Sequence, residues 1–184
     1  TVSYYDPDSK AMDKFQKHLK GKADLNPCTS AEMAIKGADI IITATAKKSQ
    51  TSLFDRTKVK SGTHIHAMGG DCPGKTELPA ELIKACKIVV EYLPQSLQEG
   101  EIQNLSNAGM NTEIHAELWQ LVTGEKEGRT SNEEVTLFDS VGFALEDFSI
   151  LRLVYNLSES LNIGQKVNLI PAPKDPKDLY GVLF

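Results

Sequence analysis

A chain of 184 residues, 40% hydrophobic and 24% charged, has room for one domain of ordinary size with a real core and is not composed like a disordered segment. A formal net charge of −5 argues against nucleic acid or an anionic membrane as the main partner, though a local basic pocket could still take a phosphate. Cys28, Cys72 and Cys86 lie too far apart for a metal or disulfide framework, and the longest apolar runs, such as Ile40–Ile42 and Ile88–Val90, are too short to span a bilayer, so a reducing cytoplasmic compartment is expected.

Val2 to Tyr5 is β-branched and aromatic and stops at Asp6-Pro7-Asp8, as a strand entering a turn does; it does not resemble a signal peptide. Met12, Phe15 and Leu19 recur at helical spacing, with Lys10, Lys14 and Lys17 elsewhere, which predicts an amphipathic helix ending near Gly21. A second strand is expected over Asp24 to Cys28. Thr29-Ser30-Ala31-Glu32 has the form of a capping box and starts a helix that Gly37 ends. The continuous apolar run Ala38 to Thr43 suits a parallel strand buried on both faces. Further strands are expected at Thr63–Met68, Lys87–Tyr92 and Val135–Phe138, with a helix at Pro79–Cys86. Helical pieces should run from Ile102 to Gln120, with a polar break at Asn107-Ala108-Gly109. A long helix from Val141 to Leu161 should carry Ala144, Leu145, Phe148, Leu151 and Tyr155 on one stripe. Val167 to Ile170 could pair elsewhere, and Pro171 to Pro176 reads as a proline-rich tail.

Strands alternating with helices predict an α/β fold, a Rossmann-type doubly wound parallel sheet covered on both faces. The Gly-x-Gly-x-x-Gly turn of such a sheet belongs roughly 20 residues before an acid like Asp6, and none is present. The expectation is therefore a sheet lacking its first strand and glycine-rich turn. Residues 1–163 would form the incomplete nucleotide-binding domain, and 164–184 a separate C-terminal tail.

Ligands of open parallel sheets bind beyond the carboxyl ends of the strands. Asp6 ends the first strand, where an acid can bond the adenosine ribose hydroxyls and repel a 2′-phosphate, or can simply start the Asp-Pro turn. Thr43-Ala44-Thr45 ends the most apolar strand, where hydroxyls can bond a ribose or a carboxamide, or cap the strand. The densest signal is Gly69-Gly70-Asp71-Cys72-Pro73-Gly74-Lys75. Its two glycines would let backbone approach a ligand closely and Pro73 would stiffen the loop. Asp71 is then a candidate acid or base, and Lys75 a candidate phosphate contact or helix-start charge. His64 and His66 alternate on one sheet face and suit packing or hydrogen bonding. No third ligand accompanies them, so no metal is expected. His18 and His115 read as surface helix residues, and Glu91, Glu99 and Glu101 as a solvated or capping set, with Glu91 at a strand end on the ligand side.

Two long stretches, His66-Ala67-Met68-Gly69-Gly70-Asp71-Cys72-Pro73-Gly74-Lys75-Thr76-Glu77-Leu78 and Thr136 to Asp147 (TLFDSVGFALED), resemble signature segments of the ornithine cyclodeaminase/mu-crystallin family. Val90 to Gln95, Glu99 to Gln103 and the tail Asp175-Pro176-Lys177-Asp178-Leu179 extend the resemblance over nearly the whole chain; Ser106 to Ile114 is slightly longer than the pattern. The resemblance implies NAD as cofactor and a second substrate and dimerisation domain built mainly from residues upstream, to which the tail returns. It also implies a homodimer in the full-length protein, with L-ornithine and L-proline as small-molecule ligands. By the same resemblance Asp71 is the catalytic acid/base and Asp6 the ribose acid, while Thr45, Met68, Gly69, Gly70, Lys75 and Ser140 contact the cofactor. The implied reaction converts L-ornithine to L-proline and ammonia with no net redox change, hydride passing from the α-carbon to NAD+ and back after ring closure. Related activities are a ketimine reductase, an alanine dehydrogenase or a lysine cyclodeaminase, and crystallin-like members suggest a nucleotide-binding protein without catalysis. Asp6 speaks against the NADP-dependent relatives, and the intact Asp71 against the non-catalytic one.

Overall fold

The computed structural model describes residues 1–107, 109, 113–167, 169, 175 and 177. Thr1–Phe143 forms one compact unit and Ala144–Phe184 another.

In the first unit, β1 (Val2–Tyr4) and β2 (Leu25–Pro27) pair in parallel as a two-stranded sheet, joined by α1 (Ser9–Leu19). Asp8 caps α1 by accepting the Lys10 N–H at 2.9 Å, and Lys17 and His18 in the last turn complement the helix dipole. The next helix, α2 (Ala31–Ile35), is capped by Ser30, which accepts the Met33 N–H at 3.2 Å. The capping box expected at Thr29 is thus not formed; the cap falls one residue later, and the Thr29 hydroxyl goes to Met33 Sδ instead.

The main sheet is five-stranded and all parallel, in the order β3-β4-β7-β5-β6. Its strands are β3 (Ile40–Thr43), β4 (His64–Ala67), β5 (Lys87–Val90), β6 (Ala116–Glu117) and β7 (Thr136–Asp139). Between them lie α3 (Ala80–Lys84), α4 (Leu93–Ser96), α5 (Gln103–Asn107) and α6 (Leu118–Val122). The register sets Ile41, Ile65, Leu137 and Ile88 side by side in one row across the sheet. With Leu78, Leu82, Ile83, Val90, Ile102 and Leu105 they form the buried core on that face. Each such side chain removed from water contributes roughly 1.5–3 kcal/mol.

Three expectations need correction. β3 is not buried on both faces. Ile41 and Thr43 are buried, but Ile40 and Ile42 point to the opposite face and are each 63% exposed, and their β4 partners His64 and His66 on that face are only half-buried. Ile102–Gln120 contains the expected helical pieces, α5 and the start of α6, but also a strand that was not expected: His115 donates its N–H to Ile88 O at 2.9 Å and feeds β6 onto the edge of β5. His115 accordingly lies outside any helix, with Nε2 2.8 Å from Glu127 O. Ala108 and residues 110–112, within the expected polar break, lie outside the described residues, as does most of the tail from 168 onward.

The second unit contains α7 (Ala144–Leu161), 18 residues long. It starts three residues after the expected Val141, since Gly142 takes φ 73° and breaks helical continuity.

Candidate functional site

The carboxyl ends of β3, β4 and β7 are tied side by side. Met68 donates its N–H to Thr43 O at 2.9 Å, and Ser140 to Ala67 O at 2.9 Å. Thr45, Met68, Gly69, Gly70, Asp71 and Ser140 therefore share one edge of the sheet, whereas Asp6 follows β1 in the other sheet. Asp6 is exposed and accepts the Asp8 N–H at 2.7 Å, which is the turn-starting role. Its Oδ2 takes no hydrogen bond among the described residues.

A chain of five acids crosses this edge, each accepting hydrogen bonds from its neighbour's loop. Glu117, at the end of β6, accepts from Leu93 N–H after β5 at 2.8 Å. Glu91, after β5, accepts from the Ser140 hydroxyl at 2.6 Å and from the N–H groups of Val141 and Gly142. Asp139, ending β7, accepts from Glu101 N–H at 2.8 Å and Ile102 N–H at 3.0 Å. Glu101 accepts from Glu77 N–H and from Leu78 N–H, both at 2.8 Å. Glu77 reaches back to Thr45 after β3, accepting its N–H at 2.7 Å and its hydroxyl. Glu77, Glu101 and Asp139 are fully buried and Glu91 nearly so. Glu91 and Glu101 are therefore not a solvated set; Glu99 is half-buried and accepts from Gln95 Nε2.

The double glycine serves this chain of acids. A Cβ at Gly69 would lie 1.9 Å from the Glu77 carboxyl carbon, and one at Gly70 would lie 2.9 Å from Gly100. The close approach expected toward a ligand is already taken up by the protein's own carboxylate and backbone.

Gln103 holds the loop that follows. Its Oε1 accepts Gly74 N–H at 2.7 Å, while Nε2 donates to Lys75 O at 3.0 Å and Gly100 O at 2.8 Å. The loop so clamped presents Asp71, whose side chain is 59% exposed, against Lys75, which is 4% exposed with Nζ 2.9 Å from Asp71 Oδ1. The Lys75 bond and charge hold the Asp71 carboxyl below its usual range. Lys75 starts no helix; its ammonium is engaged by Asp71.

Burial pushes Glu101 up to about 8 against the pull of the Leu78 and Glu77 N–H groups, with the Asp139 and Glu77 charges adding to the rise. Burial likewise pushes Asp139 up to about 6. Both acids bind protons more tightly folded than unfolded. Their contribution to stability is complete below the unfolded values of 4.5 and 3.8 and is lost as pH rises through about 6 and then about 8. Denaturant stability of the full-length protein is thus expected to decline across that interval, and Glu101→Gln to flatten the decline. An unchanged slope in Glu101→Gln would show that Glu101 does not titrate there.

His64 Nδ1 lies 2.8 Å from Thr136 Oγ1, and His66 packs on the Phe138 ring. Among the described residues no group of three His, Cys, Asp or Glu is placed to hold a metal, and no helix is long and apolar enough to cross a membrane.

Residues 1–162 match the model of the ornithine cyclodeaminase/mu-crystallin family. An ornithine cyclodeaminase of Brucella suis biovar 1 (strain 1330) is 44% identical over 98% of this chain and 49% of its own length. Among solved structures, an archaeal alanine dehydrogenase dimer with bound NAD superposes with a TM-score of 0.81 at 35% identity, over 91% of this chain and 52% of that one. Thermococcus litoralis Δ1-pyrroline-2-carboxylate reductase, in complex with NADH and L-proline, superposes equally well (TM-score 0.81, 32% identity, 90% of this chain and 52% of that one). These structures share the Rossmann-type parallel architecture, and this chain spans about half the length of the relatives it matches. With its acid-tied strand ends and its glycine-borne aspartate, the chain belongs to the ornithine cyclodeaminase/mu-crystallin family.

Proposed function

We propose that these residues are the NAD-binding portion of an enzyme that converts L-ornithine to L-proline and ammonia, with Asp71 as its acid/base. The carrying observation is the placement of Asp71. It is an exposed carboxylate on a clamped loop beyond β4, beside strand-end hydroxyls from β3 and β7.

The residues fit the cofactor. Thr45 and Ser140 are half-buried hydroxyls on the edge where a dinucleotide lies in such sheets, and Met68 is exposed beside them. Asp6 would take the adenosine ribose hydroxyls through its unbonded oxygen and favour NAD over NADP. When bound, NAD supplies reversible hydride acceptance, so the protein need provide only position and proton transfer. Asp71, kept deprotonated by Lys75, can accept a proton from the substrate amine, deliver it to departing ammonia, and take one from the ring nitrogen. Lys75, tied to the same loop through Gln103, keeps that carboxylate in one place through the sequence.

In the full-length protein, a further strand is expected to lie between β1 and β3, joining two parallel sheets that are separate here. Residues 164–184 would return to a substrate and dimerisation domain formed by the rest of the protein. Full-length enzyme given L-ornithine and substoichiometric NAD+ should release ammonia over many turnovers. Ammonia release that stops once the NAD+ is consumed would contradict the reading.

A further inference from the structure

Thr45 and Ser140 have one feature in common. A hydroxyl carries a single donor proton and two acceptor lone pairs. In both residues that proton is already committed to a buried carboxylate from the segment that follows the neighbouring strand, Thr45 to Glu77 and Ser140 to Glu91. Each carboxylate also accepts backbone N–H groups of the same loop, Thr45 N–H in one case and those of Val141 and Gly142 in the other. Loop position and hydroxyl orientation are thus set by one group. Each hydroxyl is left able only to accept, and its donation to a buried carboxylate strengthens it as an acceptor.

Glu77 goes beyond what a structural tie requires. It is fully buried, yet Oε2 has no hydrogen-bond partner among the described residues. Satisfying the Thr45 N–H alone would take one neutral acceptor, and burying a carboxylate with an unmet oxygen carries a desolvation cost. The carboxylate is packed so closely on Gly69 that no other residue type fits there without displacing it.

From this geometry we infer that Glu77 is a positioning residue for cofactor recognition: it fixes the hydrogen-bond polarity of Thr45, so that Thr45 selects a donor on the nicotinamide half of the dinucleotide. The inference rests on the proposed NAD site. Two groups on that half can donate, the carboxamide N–H and a ribose hydroxyl, and the same acceptor would serve either.

The test is equilibrium binding to the full-length protein of NAD+ and two analogues. One is 3-acetylpyridine adenine dinucleotide, which replaces the carboxamide amine by methyl; the other lacks the 2′-hydroxyl on the nicotinamide ribose. Wild type is expected to bind one of them about tenfold more weakly than NAD+, the cost of a single unmet hydrogen bond, and which one identifies the donor. Thr45→Val should bind NAD+ and that analogue alike. Glu77→Gln, which keeps the shape but replaces the charged acceptor of the Thr45 hydroxyl by a weaker neutral one, should reduce the discrimination at least threefold. The double variant should be no worse than Thr45→Val. A merely structural role for Glu77 would weaken NAD+ and analogue equally, and that result overturns the inference, as does wild type binding all three ligands alike. If Thr45→Val leaves NAD+ binding unchanged, the placement of the cofactor fails as well. If Thr45→Val weakens it and Glu77→Gln discriminates like wild type, only the role of Glu77 fails.

Discussion

Replacing Asp71 by asparagine is expected to lower turnover of L-ornithine by about 10²–10⁴-fold, the usual contribution of a positioned acid/base, with little change in NAD affinity. Asparagine preserves the shape and can still accept from Lys75 Nζ, so the clamped loop should keep its form. What it loses is the ability to take and return a proton. Because Lys75 holds the Asp71 carboxyl low, the acid limb of the rate–pH profile should lie below the ordinary carboxylate range. Lys75→Met removes that hydrogen bond and charge, so the limb should move to higher pH. Turnover retained in Asp71→Asn would remove Asp71 from the chemistry.

Gly100→Ala is expected to be strongly destabilising, because backbone strain and a buried clash coincide there. Gly100 sits at φ +93°, where an L side chain is strained. Its new Cβ would lie 2.7 Å from Asp139 Oδ2 and 2.9 Å from Val141 Cγ1. Asp139 is fully buried and bonded to the N–H groups of Glu101 and Ile102, so it cannot step aside without leaving both unpaired. Backbone strain of roughly 1–2 kcal/mol and overpacking of about 1–3 kcal/mol act together, giving an expected loss near 3–4 kcal/mol in denaturant melts. Gly74→Ala is the control: φ is +80° but nothing lies within 4 Å of its Cβ, so only the strain remains. Equal losses in the two variants would mean that the Asp139 contact carries no weight.

Local signals account for much of what was legible in the sequence. The apolar runs around Ile41, Ile65, Ile88 and Leu137 each form a strand of the parallel sheet, since a short apolar run bounded by turn residues is recognisable as a strand. Glycine and Asp-Pro punctuation places most turns within a residue or two. β6 escaped because two residues carry no periodicity, and only the pairing with β5 makes them a strand. The openness of Ile40 and Ile42 also had no local sign, as it depends on what packs over that face of the sheet.

At the site, the glycine bend and Asp71 stand out in sequence, but the close packing of Gly69 on Glu77 does not. The buried acids were missed for the same reason. Glu77, Glu91, Glu101 and Asp139 are far apart in the chain and meet only through the sheet order β4-β7-β5. A faint signal existed in Glu91 and Asp139, acids placed right at the ends of otherwise apolar strands on the ligand side, where solvation alone is an insufficient reason for a carboxylate.

In the proposed reaction, hydride leaves and returns at one site while a single carboxylate handles the protons. Full-length enzyme should be given L-ornithine deuterated at the α-carbon, with catalytic NAD+, and the proline analysed by mass spectrometry. Deuterium retained at the α-carbon of proline, with no NADH accumulating, is the predicted result. Stoichiometric NADH carrying the deuterium, with an oxidised amino-acid product in place of proline, would identify a dehydrogenase and contradict the account.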